Sequence, residues 1–190
     1  MASFGQTYFI SVFAGEIRQA FDLSHGEWGG IYTLGTAAAA IAMIWVGGLA
    51  DRLHVRALGS VTLGCLALSC LLMAVAPAAW MLPLVIFALR LTGQGMTMQI
   101  AVVAMGRWFN ASRGKAISVA NLGGNVGGAF LPLLFAALML NYEWRLLWGA
   151  AALVVTLAVP VLLGLLVREQ SVQESATQDE TIGMEDRHWT

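Results

Sequence analysis

The sequence predicts an all-α membrane protein with six transmembrane helices. Its 190 residues are 58% hydrophobic and only 11% charged, whereas soluble domains are about 25% charged. Residues 28–50, 116–142 and 146–167 carry no charge, and each run exceeds the roughly 20 residues that cross a bilayer. This composition excludes a disordered chain, a disulfide scaffold and an ordinary soluble enzyme. The net charge of −1 gives no basic surface for nucleic acid.

Pro77 divides the longest apolar run into two predicted helices. Residues 57–106 hold one charge, that of Arg90, and the run is too long for a single span. The residue before a proline avoids the helical conformation, so the break falls at residues 76–79. The predicted helices are residues 2–20, 28–50, 57–76, 79–105, 116–141 and 145–167.

The first predicted helix allows two interpretations. Residues 2–15 are uncharged but reach only about 22 Å at roughly 1.5 Å per residue. Val12-Phe13-Ala14 resembles a signal-peptide cleavage site, yet no basic segment precedes the stretch, and Gln6 and Thr7 interrupt it. We favour a first transmembrane helix whose beginning is missing or unusually short.

The distribution of charge divides the chain and orients it. Residues 1–167 contain eight Lys or Arg and five Asp or Glu, a balance of +3, whereas residues 168–190 contain two and six, a balance of −4. We therefore expect a membrane domain followed by an acidic linker or tail. The loops at 51–56 and 106–115 carry five basic residues against two on the other side. Basic loops stay in the cytoplasm, which places both termini there, most simply in a bacterial inner membrane.

Polar side chains recur at helical spacing on the first, second, fourth and fifth predicted helices. The third carries only small polar groups and the sixth almost none, so we expect these two at the periphery. Hydrocarbon does not tolerate polar stripes, so the stripes either line a water-filled cavity or form hydrogen bonds between helices for packing alone. The cavity interpretation predicts a lining of Gln6, Thr7, Tyr32, Thr36, Arg90, Gln94, Asn121 and Asn125.

Arg90 lies near mid-depth of the fourth predicted helix, where a cation costs at least about 2.5–3.5 kcal/mol. Either backbone carbonyls and a neighbouring amide satisfy it as a structural group, or it faces the cavity and meets an anionic substrate or a titrating partner. The sequence places no Asp, Glu or His at mid-membrane. Proton coupling therefore has no obvious carrier, which favours an anionic substrate.

Glycines on the fifth predicted helix indicate a site of close helix approach. Gly123 and Gly127, and also Gly124 and Gly128, form two overlapping small-xxx-small pairs, and Pro132 follows them. Such pairs let helices approach closely, and a proline permits a bend. Static packing and a hinge both stay open as interpretations.

The loop after the second predicted helix resembles motif A of the major facilitator superfamily, G-x-L-a-D-r-x-G-r-k. His54 and Val55 differ from it, and the matching residues are Gly47, Leu49, Ala50, Asp51, Arg52 and Arg56. Residues 90–95 are similar to motif B with the glycines displaced by one, and the starts of the fifth and sixth helices also look like that superfamily.

The resemblance implies the N-terminal six-helix half of a twelve-helix transporter that works by alternating access around a midplane site. It also implies that Gly47, Asp51, Arg52 and Arg56 form a conformational latch against a second six-helix half. We expect no enzyme, metal or cofactor, because the sequence has no HExxH motif, paired mid-membrane acids or Ser-His pair. The expected partners are membrane lipid, a small-molecule substrate and the second half.

Two classes of function stay open, a secondary transporter represented by its N-terminal half and a self-contained six-helix protein such as a channel subunit or membrane sensor. Residues 120–128 are similar to the glycine-asparagine signature of nitrate porters, but residues 28–50 lack the Arg that those porters need. Arg107-Trp108-Phe109 resembles carriers of small carboxylates, among other solutes. We therefore expect a small organic anion as the solute.

Overall fold

A computed structural model describes residues 2–48, 52–108 and 113–165, which are almost entirely helical and contain no strand. Short 3-10 turns, Ala2–Gly5 and Ala79–Met81, lie before the first and fifth α-helices. A π-helical segment, Arg90–Met96, joins the fifth α-helix to the sixth. The α-helices are α1 (Thr7–Val12), α2 (Ala14–Ala20), α3 (His25–Val46), α4 (Val55–Val75), α5 (Leu82–Leu89), α6 (Thr97–Trp108), α7 (Arg113–Leu138) and α8 (Trp144–Leu165).

Five helical stretches of the described chain are long and apolar enough to cross a membrane. They correspond to the second to sixth predicted helices, so the all-α membrane class is confirmed. The α4 helix ends at Val75, and helical structure resumes at Ala79. Pro83 lies in the first turn of α5, where its missing N–H is not needed.

The first predicted helix is not continuous, so the prediction of one helix over residues 2–20 is wrong in that respect. Gln6 has extended backbone (φ −80°, ψ 151°) and separates the Ala2–Gly5 turn from α1. Phe13 separates α1 from α2, and its N–H donates to Ile10 O at 3.1 Å in a tighter turn. Gly5, beside the first break, lies directly against the backbone of Gly93.

An aromatic cluster forms the centre of the larger hydrophobic core. The Phe9 ring lies 5.1 Å from that of Phe4, 5.0 Å from Phe135 and 5.5 Å from Trp148, all in edge-to-face contacts. The Phe13 ring lies 5.2 Å from Trp148. Aromatic pairs in this geometry add about 0.5–1.5 kcal/mol beyond the area they bury. The cluster therefore fixes α1 against α7 and α8.

The Arg145 side chain connects the end of α4 to the start of α8 by hydrogen bonds. Its Nη1 donates to Ala74 O and Ala76 O, both at 3.0 Å. Its guanidinium carbon lies 4.6 Å from the centre of the Trp144 ring. These bonds satisfy carbonyls that the end of a helix leaves without intrahelical donors, so Arg145 has a structural role at this end of the bundle.

Candidate functional site

Arg90 brings together side chains from the first, second and fourth predicted helices. It begins the π-helical segment and is half-buried. Its Nη1 donates to Thr7 Oγ1 at 2.9 Å and to Gly5 O at 3.4 Å. Its guanidinium carbon lies 5.9 Å from the centre of the Tyr32 ring, within the range of a cation–π contact. Three residues of the predicted lining thus meet at one point.

The guanidinium of Arg90 keeps most of its hydrogen-bonding capacity. An arginine carries five N–H donors in a planar fork. Within residues 2–48, 52–108 and 113–165, every side-chain hydrogen bond of Arg90 is made by Nη1. Both acceptors are neutral. The Nη2 and Nε donors therefore remain for a bidentate pair with a carboxylate, which adds both strength and specificity to anion binding.

Tyr32 and two further residues of the predicted lining, Thr36 and Gln94, carry polar atoms that are enclosed without a partner. These atoms are Tyr32 Oη, Thr36 Oγ1 and Gln94 Oε1, and the described part of the chain offers none of them a hydrogen bond. Leaving a buried polar group unsatisfied costs roughly 1–3 kcal/mol. Water or a polar solute that reached these atoms would recover that cost.

Glycines allow the first two predicted helices to approach the fourth closely. A Cβ added to Gly93 would lie 2.6 Å from Gly5 Cα, and one added to Gly35 would lie 2.8 Å from Pro83 O. A Cβ on Gly95 would lie 3.0 Å from Met43 Sδ. Larger side chains at these positions would push Thr7 and Tyr32 away from Arg90. Gly93 and Gly95 belong to the segment that is similar to motif B, whereas the parts of Gly5 and Gly35 emerge only from the structure.

The π-helical segment was not anticipated from the sequence. Thr92 O accepts a hydrogen bond from the backbone N–H of Thr97, five residues later. The Thr97 hydroxyl also donates to Thr92 O, at 2.7 Å. Single π-helical turns inside α-helices occur frequently at functional sites. Arg90 and Gln94 both belong to this segment.

Comparison with protein families decides what kind of molecule carries this site. A family model for the Major Facilitator Superfamily matches residues 1–188. The chain belongs to the major facilitator superfamily. It is therefore a membrane transporter of that superfamily, as the resemblance implied. Neither the search of curated proteins nor that of solved structures returns a match.

Motif A of the superfamily lies partly outside the described residues. Gly47 follows the last residue of α3, and a Cβ there would lie 2.7 Å from Met43 O. Arg52 and Arg56 are exposed, and Arg56 O accepts a hydrogen bond from the Ser60 hydroxyl at 2.8 Å. Asp51 falls outside the described residues, so its role in a latch stays a prediction.

The remaining residues of the predicted lining are less closely tied to Arg90. Gln6 and Asn121 are half-buried and Asn125 is exposed. No hydrogen bond joins any of the three to Arg90 within the described chain. Their place in a cavity of the superfamily transporter stays a prediction.

The glycines of α7 behave differently from one another. A Cβ at Gly123 or Gly124 would meet nothing within 4 Å, so the predicted close approach does not occur there within the described residues. The α7 helix is the least enclosed of the five candidate spans in the described chain. A Cβ at Gly128 would instead collide with the ring and hydroxyl of Tyr8. Gly127 and Pro132 lie within α7, which continues through the proline.

Proposed function

We propose that this chain forms the N-terminal six-helix half of an alternating-access secondary transporter, in which Arg90 meets a small organic anion. The observation that carries the proposal is the guanidinium of Arg90, which neutral groups hold through Nη1 alone. Its other donors are directed to no acceptor in the described chain. Arg145 is also held through Nη1, but it lies in the first turn of α8 and donates to carbonyls at the end of α4, whereas Arg90 lies within a candidate span.

The charge of Arg90 supports an anionic solute. Of the charged residues in the five described spans, Arg90 is the one that lies outside a first or last turn. Its contacts are a carbonyl, a hydroxyl and an aromatic ring, so no described carboxylate neutralises it. A cation at mid-depth is costly, and an anion of the solute would offset this cost on binding. Carboxylate oxygens of the same solute would accept hydrogen bonds from the hydroxyls of Tyr32 and Thr36, and a solute hydroxyl or a water molecule would donate to Gln94 Oε1.

Exposed apolar faces on α3 and α7 support a second six-helix half as the partner. These two are the least enclosed of the five described spans. On α3, Ile44 and Trp45 are 74% and 69% exposed. Several large side chains of α7 are exposed as well, namely Val119, Leu122, Val126, Phe130 and Leu133. In this arrangement the same two helices line the cavity and contact the second half. The native polypeptide should therefore have a denatured mass well above 20.3 kDa.

The latch between the two halves would lie on the cytoplasmic side of a bacterial inner membrane. It would be formed by the motif A residues Gly47, Asp51, Arg52 and Arg56. A carboxylate at a membrane edge can pair with a helix N-terminus or an arginine and so bias one of two states. We expect Asp51→Asn to change the ratio of inward-open to outward-open forms, measured by cysteine labelling from each side. Equal labelling of the variant and the parent would contradict the latch.

Arg90 can be tested by transport measurements on the intact protein in membrane vesicles. Uptake of a panel of small carboxylates would be compared for the parent, Arg90→Gln and Arg90→Lys, with the amount of inserted protein measured for each. We expect Arg90→Gln to abolish carboxylate transport and Arg90→Lys to retain part of it, because lysine keeps the charge but loses the planar fork. Parental uptake by Arg90→Gln would refute the role of Arg90.

A further inference from the structure

The three enclosed polar atoms near Arg90 differ in the hydrogen bonds that they can make. The hydroxyls of Tyr32 and Thr36 can each donate or accept, whereas Gln94 Oε1 is a carbonyl oxygen and can only accept. A carboxylate has acceptor atoms alone, so it can satisfy the two hydroxyls but not Gln94 Oε1. The site therefore lacks one donor after a simple carboxylate has bound.

The position of Gln94 in the helix brings its amide within reach of a solute held by Arg90. Gln94 follows Arg90 by four residues in the π-helical segment. Side chains at this spacing lie on the same side of a helix, with about 5–6 Å between their Cβ atoms. Tyr32 and Thr36 have the same spacing on α3, and α3 packs closely against this helix where Gly95 meets Met43. A small solute can therefore contact both Arg90 and Gln94.

The Thr36 hydroxyl lacks the bond that satisfies other threonine hydroxyls in the described helices. The Thr92 hydroxyl donates to Ala88 O at 2.7 Å, and the Thr156 hydroxyl donates to Ala152 O at 2.8 Å. Each of these carbonyls lies four residues earlier in the same helix. Thr36 makes no such bond within the described chain, so its hydroxyl hydrogen remains available to a carboxylate oxygen of the solute.

A hydroxyl or an ammonium group of the solute can supply the donor that Gln94 Oε1 needs, and the charge of the site distinguishes them. In the five described spans, the one carboxylate is that of Glu27 in the first turn of α3, where it accepts from Ser24 N at 2.8 Å. An ammonium group would therefore meet the like charge of Arg90 without a described counter-charge. Because an unpaired charge is far more costly to remove from water than a hydroxyl, the site favours a hydroxyl.

We propose that the solute is a small monocarboxylate that also carries a hydroxyl group, and that Gln94 is the residue that selects this hydroxyl. The carboxylate pairs with Nη2 and Nε of Arg90, and the solute hydroxyl donates to Gln94 Oε1. This inference rests on the proposed function, because it requires that Arg90 binds the carboxylate. It adds a preference among carboxylates that an arginine alone does not provide.

Three-carbon acids that differ in a single group measure this preference on the full-length protein in detergent. The dissociation constants of propionate, lactate, 3-hydroxypropionate and alanine would be obtained from thermal stabilisation as a function of concentration. We expect at least one of the two hydroxy acids to bind about fivefold more tightly than propionate or better, because it gives a partner to an enclosed acceptor. Alanine, with its ammonium group, should bind more weakly than propionate.

Two glutamine variants test whether Gln94 is the source of the preference. Gln94→Met has a side chain of similar length without the amide oxygen, so we expect the ratio of propionate to hydroxy-acid dissociation constants to fall to about one. Gln99→Met is the matched control, because Gln99 is half-buried on α6 and none of its side-chain atoms is enclosed without a partner in the described chain. It should keep the parental ratio, and Arg90→Gln should lose binding of all the carboxylates.

Equal binding of propionate and both hydroxy acids by the parent would overturn the inference, and so would a preference that Gln94→Met retains. Neither result would affect the proposed anion transport if Arg90→Gln still loses binding of the carboxylates. Failure of every acid to bind the parent, or undiminished binding by Arg90→Gln, would instead refute the proposed function and the inference with it. The comparison of acids in the parent needs no variant, so it decides the question even if Gln94→Met does not fold.

Discussion

Replacing Gly93 with alanine tests the packing that presents Arg90 to its neighbours. The added Cβ would lie 2.6 Å from Gly5 Cα, 2.7 Å from Gly5 N and 3.2 Å from Leu66 Cδ1. The two nearest atoms belong to the backbone and cannot rotate away. Overpacking of this kind costs typically about 1–3 kcal/mol, and the higher helix propensity of alanine offsets up to ~1 kcal/mol of it. We expect a net loss of about 1–2 kcal/mol, a factor of roughly 5–30 in the ratio of folded to unfolded protein.

The free energy of unfolding would be measured by denaturant titration of the full-length protein in mixed micelles. Gly64→Ala is the matched control, because a Cβ at position 64 would meet nothing within 4 Å. That control should gain stability, by up to ~1 kcal/mol. If Gly93→Ala were as stable as Gly64→Ala, Gly5 and Gly93 would not be in the close contact described here, and the account of how Arg90 is positioned would fail.

Three further substitutions are measured by the same titration. Arg145→Met should lower the free energy of unfolding by about 2–3 kcal/mol, because two carbonyls lose a charged donor. A loss smaller than that of an ordinary surface substitution would contradict the structural role of Arg145. Ser24→Ala removes the capping box at the start of α3 and should cost about 1 kcal/mol, so unchanged stability would count against the cap. Gly128→Ala should cost less than Gly93→Ala, because its nearest neighbour is the movable Tyr8 hydroxyl; the reverse order would refute this reasoning.

The polar positions that meet at Arg90 could be predicted because helical spacing identifies faces. A cation at mid-depth and hydroxyls on other helices are costly in hydrocarbon, so they point inward wherever the helices pack. This reasoning requires only the sequence, and the structure does bring Thr7 and Tyr32 to Arg90. It also identifies Thr36 and Gln94, whose polar atoms are enclosed without partners in the described chain.

The details of the backbone could not be predicted, because they depend on contacts between distant residues. The break at Gln6 lies next to the contact between Gly5 and Gly93, two residues that are far apart in the chain. The π-helical segment adds one residue to a turn, and a pattern of period 3.6 gives no sign of it. Gly124 shows another limit of prediction from the sequence. A small residue indicates where a helix can approach closely, but it does not indicate which helix will do so.

Stabilisation by anions is the most direct measurement of whether Arg90 forms an anion site. The thermal stability of the full-length protein would be followed in acetate, lactate, nitrate and phosphate, for the parent and for Arg90→Gln. A ligand at 100 times its Kd stabilises by ~2.7 kcal/mol through mass action. We predict that at least one small carboxylate stabilises the parent and that Arg90→Gln loses this response. Equal stabilisation of Arg90→Gln by the same anion would show that the anion binds elsewhere and would contradict the account.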